Sequence, residues 1–214
     1  MTQALTIVEL IGVILYIGLI GVYFISGSLF IRQSIKNPEE ERLKVINFVG
    51  LFLILDGISR LCHPVLFEIT QMNFFYASQV TFIASIVMVL IYIERIVFPE
   101  SKYAFTIILT VSEVLFVLNW LTIFYNVFSY ILAFAMVASC FFIIILYIRI
   151  AIKTSGVLRR DAIFIIIGIL AFALSYILYG AEDIFLTQEQ LIIPTVICGF
   201  VSVPFLVKGF NLEL

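Results

Sequence analysis

Apolar runs of about twenty residues or more alternate with short polar stretches along the whole chain. A run of that length, coiled as a helix, covers the ~30 Å hydrocarbon core of a bilayer. Read in this way, the pattern predicts seven membrane-spanning helices, at about 4–31, 43–67, 72–98, 103–125, 129–152, 161–185 and 188–208. A polar loop, 32–42, separates the first two. Pro99 ends the third, because its ring removes the next backbone donor. No charge separates the fourth from the fifth, so the division rests on Tyr125, Asn126 and Ser129 as a turn. Without that turn the run 103–152 is far too long for one crossing. The expectation is an all-α membrane protein, a single seven-transmembrane-helix domain over 1–214 with loops too short for a soluble domain.

Composition agrees. The chain is 64% hydrophobic and 12% charged, against roughly 45–50% and about 25% in soluble domains. Mean hydropathy is +1.23. The 22 Phe and 10 Tyr suit a membrane span with rings at its interfaces. The net charge of −2 and the lack of a basic stripe argue against nucleic-acid binding. Cys62, Cys140 and Cys198 are far apart, show no CxxC pair, and read as inert thiols. A cleaved signal peptide is not expected, since residues 1–10 carry no basic residue and the apolar run continues to Ile31.

Lys and Arg in short loops set orientation. Eleven of the 12 basic residues fall on one flank, after helices 1, 3, 5 and 7; Arg60 is the exception. The other flank carries Glu68, Glu182, Asp183 and Glu189. The basic flank is therefore expected in the cytoplasm, with the N-terminus outside and the C-terminus inside. Ile31, Arg32, Ile35, Lys36 and Arg42 recur as Ile148, Arg149, Ile152, Lys153 and Arg159 at an offset of 117, with Gly50 and Gly168 one residue out of step. This suggests a 3+1+3 parallel repeat, helices 1–3 duplicated as 5–7. Selection for basic residues on the cytoplasmic side would place the same Arg and Lys without duplication.

Ionisable groups inside a span cost about 2.5–3.5 kcal/mol at the centre on insertion scales, so each needs a reason. Asp56, Arg60 and His63 share one face of helix 2. Asp56 lies near mid-membrane and can pair with Arg60 one turn on. The set reads either as a ligand or proton site open to the outside, or as a structural ion pair with an interfacial His63. Glu113, near the middle of helix 4, has no basic neighbour in its own helix. It is expected to be uncharged or to meet Arg60 across the bundle. Tyr176, Tyr179 and Asp183 lie at i, i+3 and i+7 on helix 6, as a candidate ligand surface or as interfacial residues. Thr195, Cys198 and Ser202 on helix 7, and Ser78, Thr81 and Ser85 on helix 3, form polar stripes that serve packing or line a pore. Glu94-Arg95 sits where G-protein-coupled receptors carry an Asp/Glu-Arg-Tyr motif, but Ile96 replaces the tyrosine; the two residues read as an ion pair snorkelling to the headgroups.

Several seven-helix functions are excluded by missing residues. A retinal pigment needs a lysine in mid-helix 7, and Lys208 lies at the edge. Zinc hydrolases of the ceramidase type and bis-histidine haem sites need more than the single His63. Intramembrane aspartyl proteases need GxGD, and rhomboid proteases need GxSG; neither string occurs. Small three-plus-one-plus-three sugar transporters match in length, but their helix-1 proline and Pro-Gln motif are missing. No catalytic set, metal site or cofactor is expected, and an enzyme is not.

The string Gly57-Ile58-Ser59-Arg60-Leu61, with Ile93-Glu94-Arg95 and Lys102-Tyr103, resembles uncharacterised archaeal seven-helix membrane proteins, some of which are similar to the membrane sensor regions of histidine kinases. The resemblance implies a fold and no chemistry. The sequence thus leads to a receptor-like or sensory module in the cell membrane. It would bind a small molecule or lipid from the outer side and signal through a separate cytoplasmic or membrane partner, since the chain ends six residues after Lys208. The alternative is a small-solute or ion transporter with Asp56 and Glu113 as proton-linked carboxylates.

The orientation is open to a direct test. A cysteine introduced within 37–41 is expected to be shielded from an impermeant thiol reagent in intact cells, and one at Thr187 to be labelled. The opposite pattern would reverse the topology.

Overall fold

The computed structural model describes residues 7–36, 41–62, 75–119, 125–180 and 188–210. Among these it contains seven helices and no strand: α1 (Ile7–Lys36), α2 (Glu41–Arg60), α3 (Phe75–Tyr92), α4 (Ala104–Asn119), α5 (Tyr125–Lys153), α6 (Gly156–Gly180) and α7 (Gln188–Gly209). Four stretches are long and apolar enough to cross a membrane: Leu10–Lys36, Ala77–Val97, Tyr130–Lys153 and Gly156–Leu178. Ala104–Asn119 and Ile193–Gly209 are apolar but shorter. α2 carries Arg42, Lys44, Asp56 and Arg60 within its 20 residues, which lowers its hydropathy below that of a plain span.

The helix limits differ from the sequence reading in three places. α1 does not stop at Ile31 but runs on to Lys36, because Gln33, Ser34 and Ile35 tolerate helix and Lys36 suits its negative C-terminal end. The turn expected at Tyr125, Asn126 and Ser129 is instead the start of α5, and the expected end of helix 4, beyond Asn119, lies outside the described residues. α6 begins at Gly156 rather than at Asp161; Gly156 adopts a φ of +65° that glycine reaches at no steric cost. The expected ends of helices 2 and 6 near Phe67 and Phe185, and the start of helix 3 near Met72, lie outside the described residues.

The chain divides into two compact units, Met1–Tyr23 with Tyr147–Leu214 and Phe24–Leu146, and the boundary falls inside the continuous helices α1 and α5. In the second unit α2 packs on α3, and α3 on α4. α2 also meets the C-terminal half of α1 at Gly27 and Gly50. A Cβ at Gly27 would lie 2.8 Å from the Gly50 carbonyl oxygen, and one at Gly50 would lie 2.9 Å from the Gly27 oxygen. Two backbones that close leave no room for a side chain on either helix. Small residues serve this end in membrane helices, where lipid gives no hydrophobic force toward association and van der Waals contact must do so.

The first unit uses the same device. α6 packs on α7. A Cβ at Gly209 would lie 2.8 Å from the Ile165 nitrogen, and one at Gly168 would lie 3.0 Å from the Leu206 nitrogen. α7 meets the N-terminal half of α1 through Tyr23 Oη and Ser202 Oγ, 3.0 Å apart and both buried. Gly50 and Gly168, matched by position in the sequence, therefore face non-equivalent neighbours: α1 in one case, α7 in the other.

Side-chain exposure shows what the outer surfaces need. α5 buries Leu132, Ala135, Ser139, Ile143 and Tyr147, one every three or four residues. The opposite stripe, with Tyr130, Phe134, Phe141, Ile145 and Ile152, is apolar and between 60% and 78% exposed. α1 and α4 expose Ile14, Ile17 and Ile25, and Ile107, Val111 and Leu118, in the same manner. Surfaces of this kind are matched by lipid and not by water.

The glycine contacts predict an ordered set of stabilities. Gly50→Val is expected to lower stability by about 1–3 kcal/mol, the usual range for overpacking. At Gly21 a Cβ would meet nothing within 4 Å, so Gly21→Ala is expected to be neutral or stabilising by up to about 1 kcal/mol. Thermal melts of the purified protein in detergent read both.

Candidate functional site

The polar centre of the Phe24–Leu146 unit is built on a buried stripe of α2. Val49, Leu53, Asp56 and Arg60 follow one another at helical spacing, and all are buried. Asp56 is 0% exposed and Arg60 4% exposed. The Arg60 Nε donates to Asp56 Oδ2 at 2.9 Å, one turn back along the same helix. Ser59, beside them, donates from Oγ to the Ser78 carbonyl oxygen of α3 at 2.9 Å, and its Oγ lies 3.1 Å from Ser78 Oγ. The pairing anticipated from the i, i+4 spacing of Asp56 and Arg60 is thus formed. The Ser59–Ser78 link was not anticipated, although Ser78 had been placed on a polar stripe of α3. Only its position one residue before Arg60 hinted at Ser59.

The other carboxylates behave differently. Glu113 in α4 is half-buried, beside the packed face formed by Leu109, Ser112 and Phe116. It has no hydrogen bond or ion pair among the described residues, so it does not meet Arg60 as one reading expected. Glu94 is 1% exposed, and it forms no ion pair with Arg95, which is exposed. Adjacent residues on a helix point in different directions, and the snorkelling pair read from the sequence is therefore corrected. Glu94 instead receives the first backbone donors of α4: Phe105 N–H to Oε1 at 3.0 Å and Thr106 N–H to Oε2 at 2.9 Å, with the Thr106 hydroxyl also on Oε2.

The turn that brings Glu94 there is strongly shaped. α3 passes at Ile93–Val97 into a wider π-helical turn, closed by Phe98 N–H on the Ile93 oxygen at 2.9 Å. A short 3-10 turn, Pro99–Ser101, follows. Lys102 and Tyr103 then take left-handed φ values of 50° and 63°. Phe105 stacks on Phe142 of α5 at 3.9 Å between ring centroids. Left-handed non-glycine residues each cost on the order of 1–2 kcal/mol. A carboxylate at the positive N-terminal end of a helix, accepting donors that would otherwise be orphaned, offsets that cost.

In the other unit Tyr176 lies against Phe172, one turn away, with ring centroids 5.2 Å apart. The neighbouring Ser175 is buried and donates to the Thr195 oxygen of α7 at 2.9 Å. Tyr179 falls within α6, but its side chain, with His63 and Asp183, lies outside the described residues. Ser202 bonds to Tyr23 and to the Gly199 oxygen, Ser85 to the Phe82 oxygen and Thr81 to the Ala77 oxygen. On the described residues, then, Ser78, Thr81, Ser85 and Ser202 spend their hydroxyls on backbone and helix contacts, whereas the buried Thr195 Oγ1 has no hydrogen-bond partner.

Among the described residues no group of three or more His, Cys, Asp or Glu could hold a metal ion. The chain matches no family model, no curated protein and no solved structure. The all-α architecture and the four long apolar helices are what an α-helical membrane protein requires.

Glu94 gives the sharpest stability test. Glu94→Ala leaves the Phe105 and Thr106 amides without their acceptor, and is expected to cost about 1–3 kcal/mol. Glu94→Gln keeps one acceptor oxygen and is expected to cost less. An alanine variant that melts with the wild type would show that the cap carries nothing.

Proposed function

We propose that this chain is a sensory or receptor-like module of the cell membrane: seven helices, N-terminus outside, basic flank in the cytoplasm, working through a separate partner. The observation that carries the reading is the buried Asp56–Arg60 pair of α2. A buried ion pair is a poor stabiliser, since desolvation consumes most of the attraction. Its presence in an apolar helix suits a site that recognises a charged group. On the proposed topology Arg60 lies about 28 Å along α2 from its cytoplasmic start, within reach of the outer headgroups. An anionic headgroup or small anion arriving there would compete with Asp56 for the guanidinium.

The structure also supports a route inward. Ser59 ties the α2 site to α3, and α3 ends in the π turn whose Glu94 holds α4. The strings that resemble the archaeal seven-helix proteins fall on these two places, the α2 pair and the α3–α4 turn. The packing of α2 on α3 and of α6 on α7 agrees with a 3+1+3 repeat; the unlike partners of Gly50 and Gly168 do not. A transporter is the second reading, favoured by Glu113, a carboxylate in an apolar helix with no partner among the described residues.

Native mass spectrometry of the protein released from its membrane tests the site. Arg60→Ala is expected to destabilise the fold by about 3–5 kcal/mol, because it strands Asp56, and the double change Arg60→Leu with Asp56→Leu to recover stability. Wild type is expected to carry a bound species of discrete mass that the folded double variant lacks. Identical bound species on both proteins would end the case for a site on α2.

A further inference from the structure

From α4 we infer that one side of this helix is the docking surface for a transmembrane helix of another protein, one that carries a Lys or Arg at the middle of the bilayer. The inference rests on the membrane reading of the chain and is independent of what the α2 pair recognises. Thr106, Thr110, Glu113 and Val117 recur at spacings of four, three and four residues, a single stripe along α4. The stripe flanks the face that α4 buries at Leu109, Ser112 and Phe116. Thr110 and Val117 are exposed, and Glu113 is half-buried.

Three features fit a helix and not lipid alone. First, a carboxylate in hydrocarbon demands a partner, and Glu113 has none among the described residues. It lies nine residues beyond Ala104, about 14 Å along the helix, or roughly half of the ~30 Å hydrocarbon core. No headgroup reaches that depth without deforming the bilayer. Second, the threonines are small and self-satisfied. Thr106 Oγ1 is on Glu94, and Thr110 Oγ1 donates to the Thr106 oxygen at 2.8 Å. They let a second backbone approach closely, as small residues do wherever membrane helices associate. Third, the cation must come from elsewhere. Arg60 is the one basic residue of the chain away from the basic flank, and it is buried and bonded to Asp56. A second copy of this chain therefore brings no Lys or Arg from the outer half of its spans to Glu113 other than one already bonded to Asp56.

The test uses the full-length protein in phosphatidylcholine vesicles with synthetic transmembrane helices of about 23 residues. One peptide is a Leu/Ala helix with a single central Lys; the control has Leu there. Energy transfer between labelled protein and labelled peptide reads association. The Lys peptide is expected to bind wild type about tenfold more tightly than the control, and Glu113→Gln to abolish that preference while melting with the wild type. Equal binding of the two peptides to wild type, or an undiminished preference in Glu113→Gln, would overturn the inference. So would Glu113-dependent association of the protein with itself in the absence of peptide, which would assign the surface to a second copy.

Discussion

A charge placed in hydrocarbon has to be met by a group within reach, because no water arrives to solvate it. Three carboxylates of the Phe24–Leu146 unit, all buried or half-buried, are met in three ways. Asp56 is met by a guanidinium one turn along its own helix. Glu94 is met by the free backbone donors at the start of the next helix. Glu113 is met by nothing among the described residues. The first solution keeps the buried stripe of α2 locally neutral. The second fixes how α3 turns into α4. The third leaves Glu113 half-buried on α4, beside the face formed by Leu109, Ser112 and Phe116.

The packing obeys a related constraint. Lipid is as apolar as leucine, so burying leucine between helices gains little, and association depends on close contact and on interhelical hydrogen bonds. The structure uses both and places them together. Gly27 against Gly50 brings α1 and α2 nearly into backbone contact, and one to three turns further along α2 come Asp56, Ser59 and Arg60. Gly168 and Gly209 do the same for α6 and α7, with Ser175 on the Thr195 oxygen nearby. Close approach shortens the distance that a hydroxyl must span, so the small residues and the polar links reinforce each other.

What could be read from the sequence was whatever depends on local spacing. Asp56 with Arg60 is visible as an i, i+4 pair, whereas the buried stripe of α5 is not, since the helix is apolar on both faces. Helix limits were less legible. Polar residues such as Gln33 and Ser34 extend α1 because nothing in their backbones forbids helix, and Asn126 and Ser129 are as compatible with a first helical turn as with a loop. The role of Glu94 is not legible in the sequence, where it reads as the partner of Arg95. Its partners lie eleven and twelve residues on, across a π turn and two left-handed residues, and no periodicity links positions separated by a turn of that shape. Ser59 and Ser78 are likewise joined only because α2 and α3 pack face to face.

The turn around Glu94 also explains why that carboxylate is worth its burial. Lys102 and Tyr103 have side chains that clash in the left-handed region, so left to itself this segment would relax to another conformation. Two amide donors and a hydroxyl converging on one buried carboxylate hold it, and the Phe105–Phe142 stack braces the far side. Strain of this kind persists only where the surroundings over-determine it. Removing the Glu94 carboxylate would free both amides and the hydroxyl at once, leaving the Phe105–Phe142 stack alone to hold the turn. The α3–α4 connection is therefore held by the Glu94 cap together with that stack, and the stripe that bears Glu113 starts from the capped turn at Thr106.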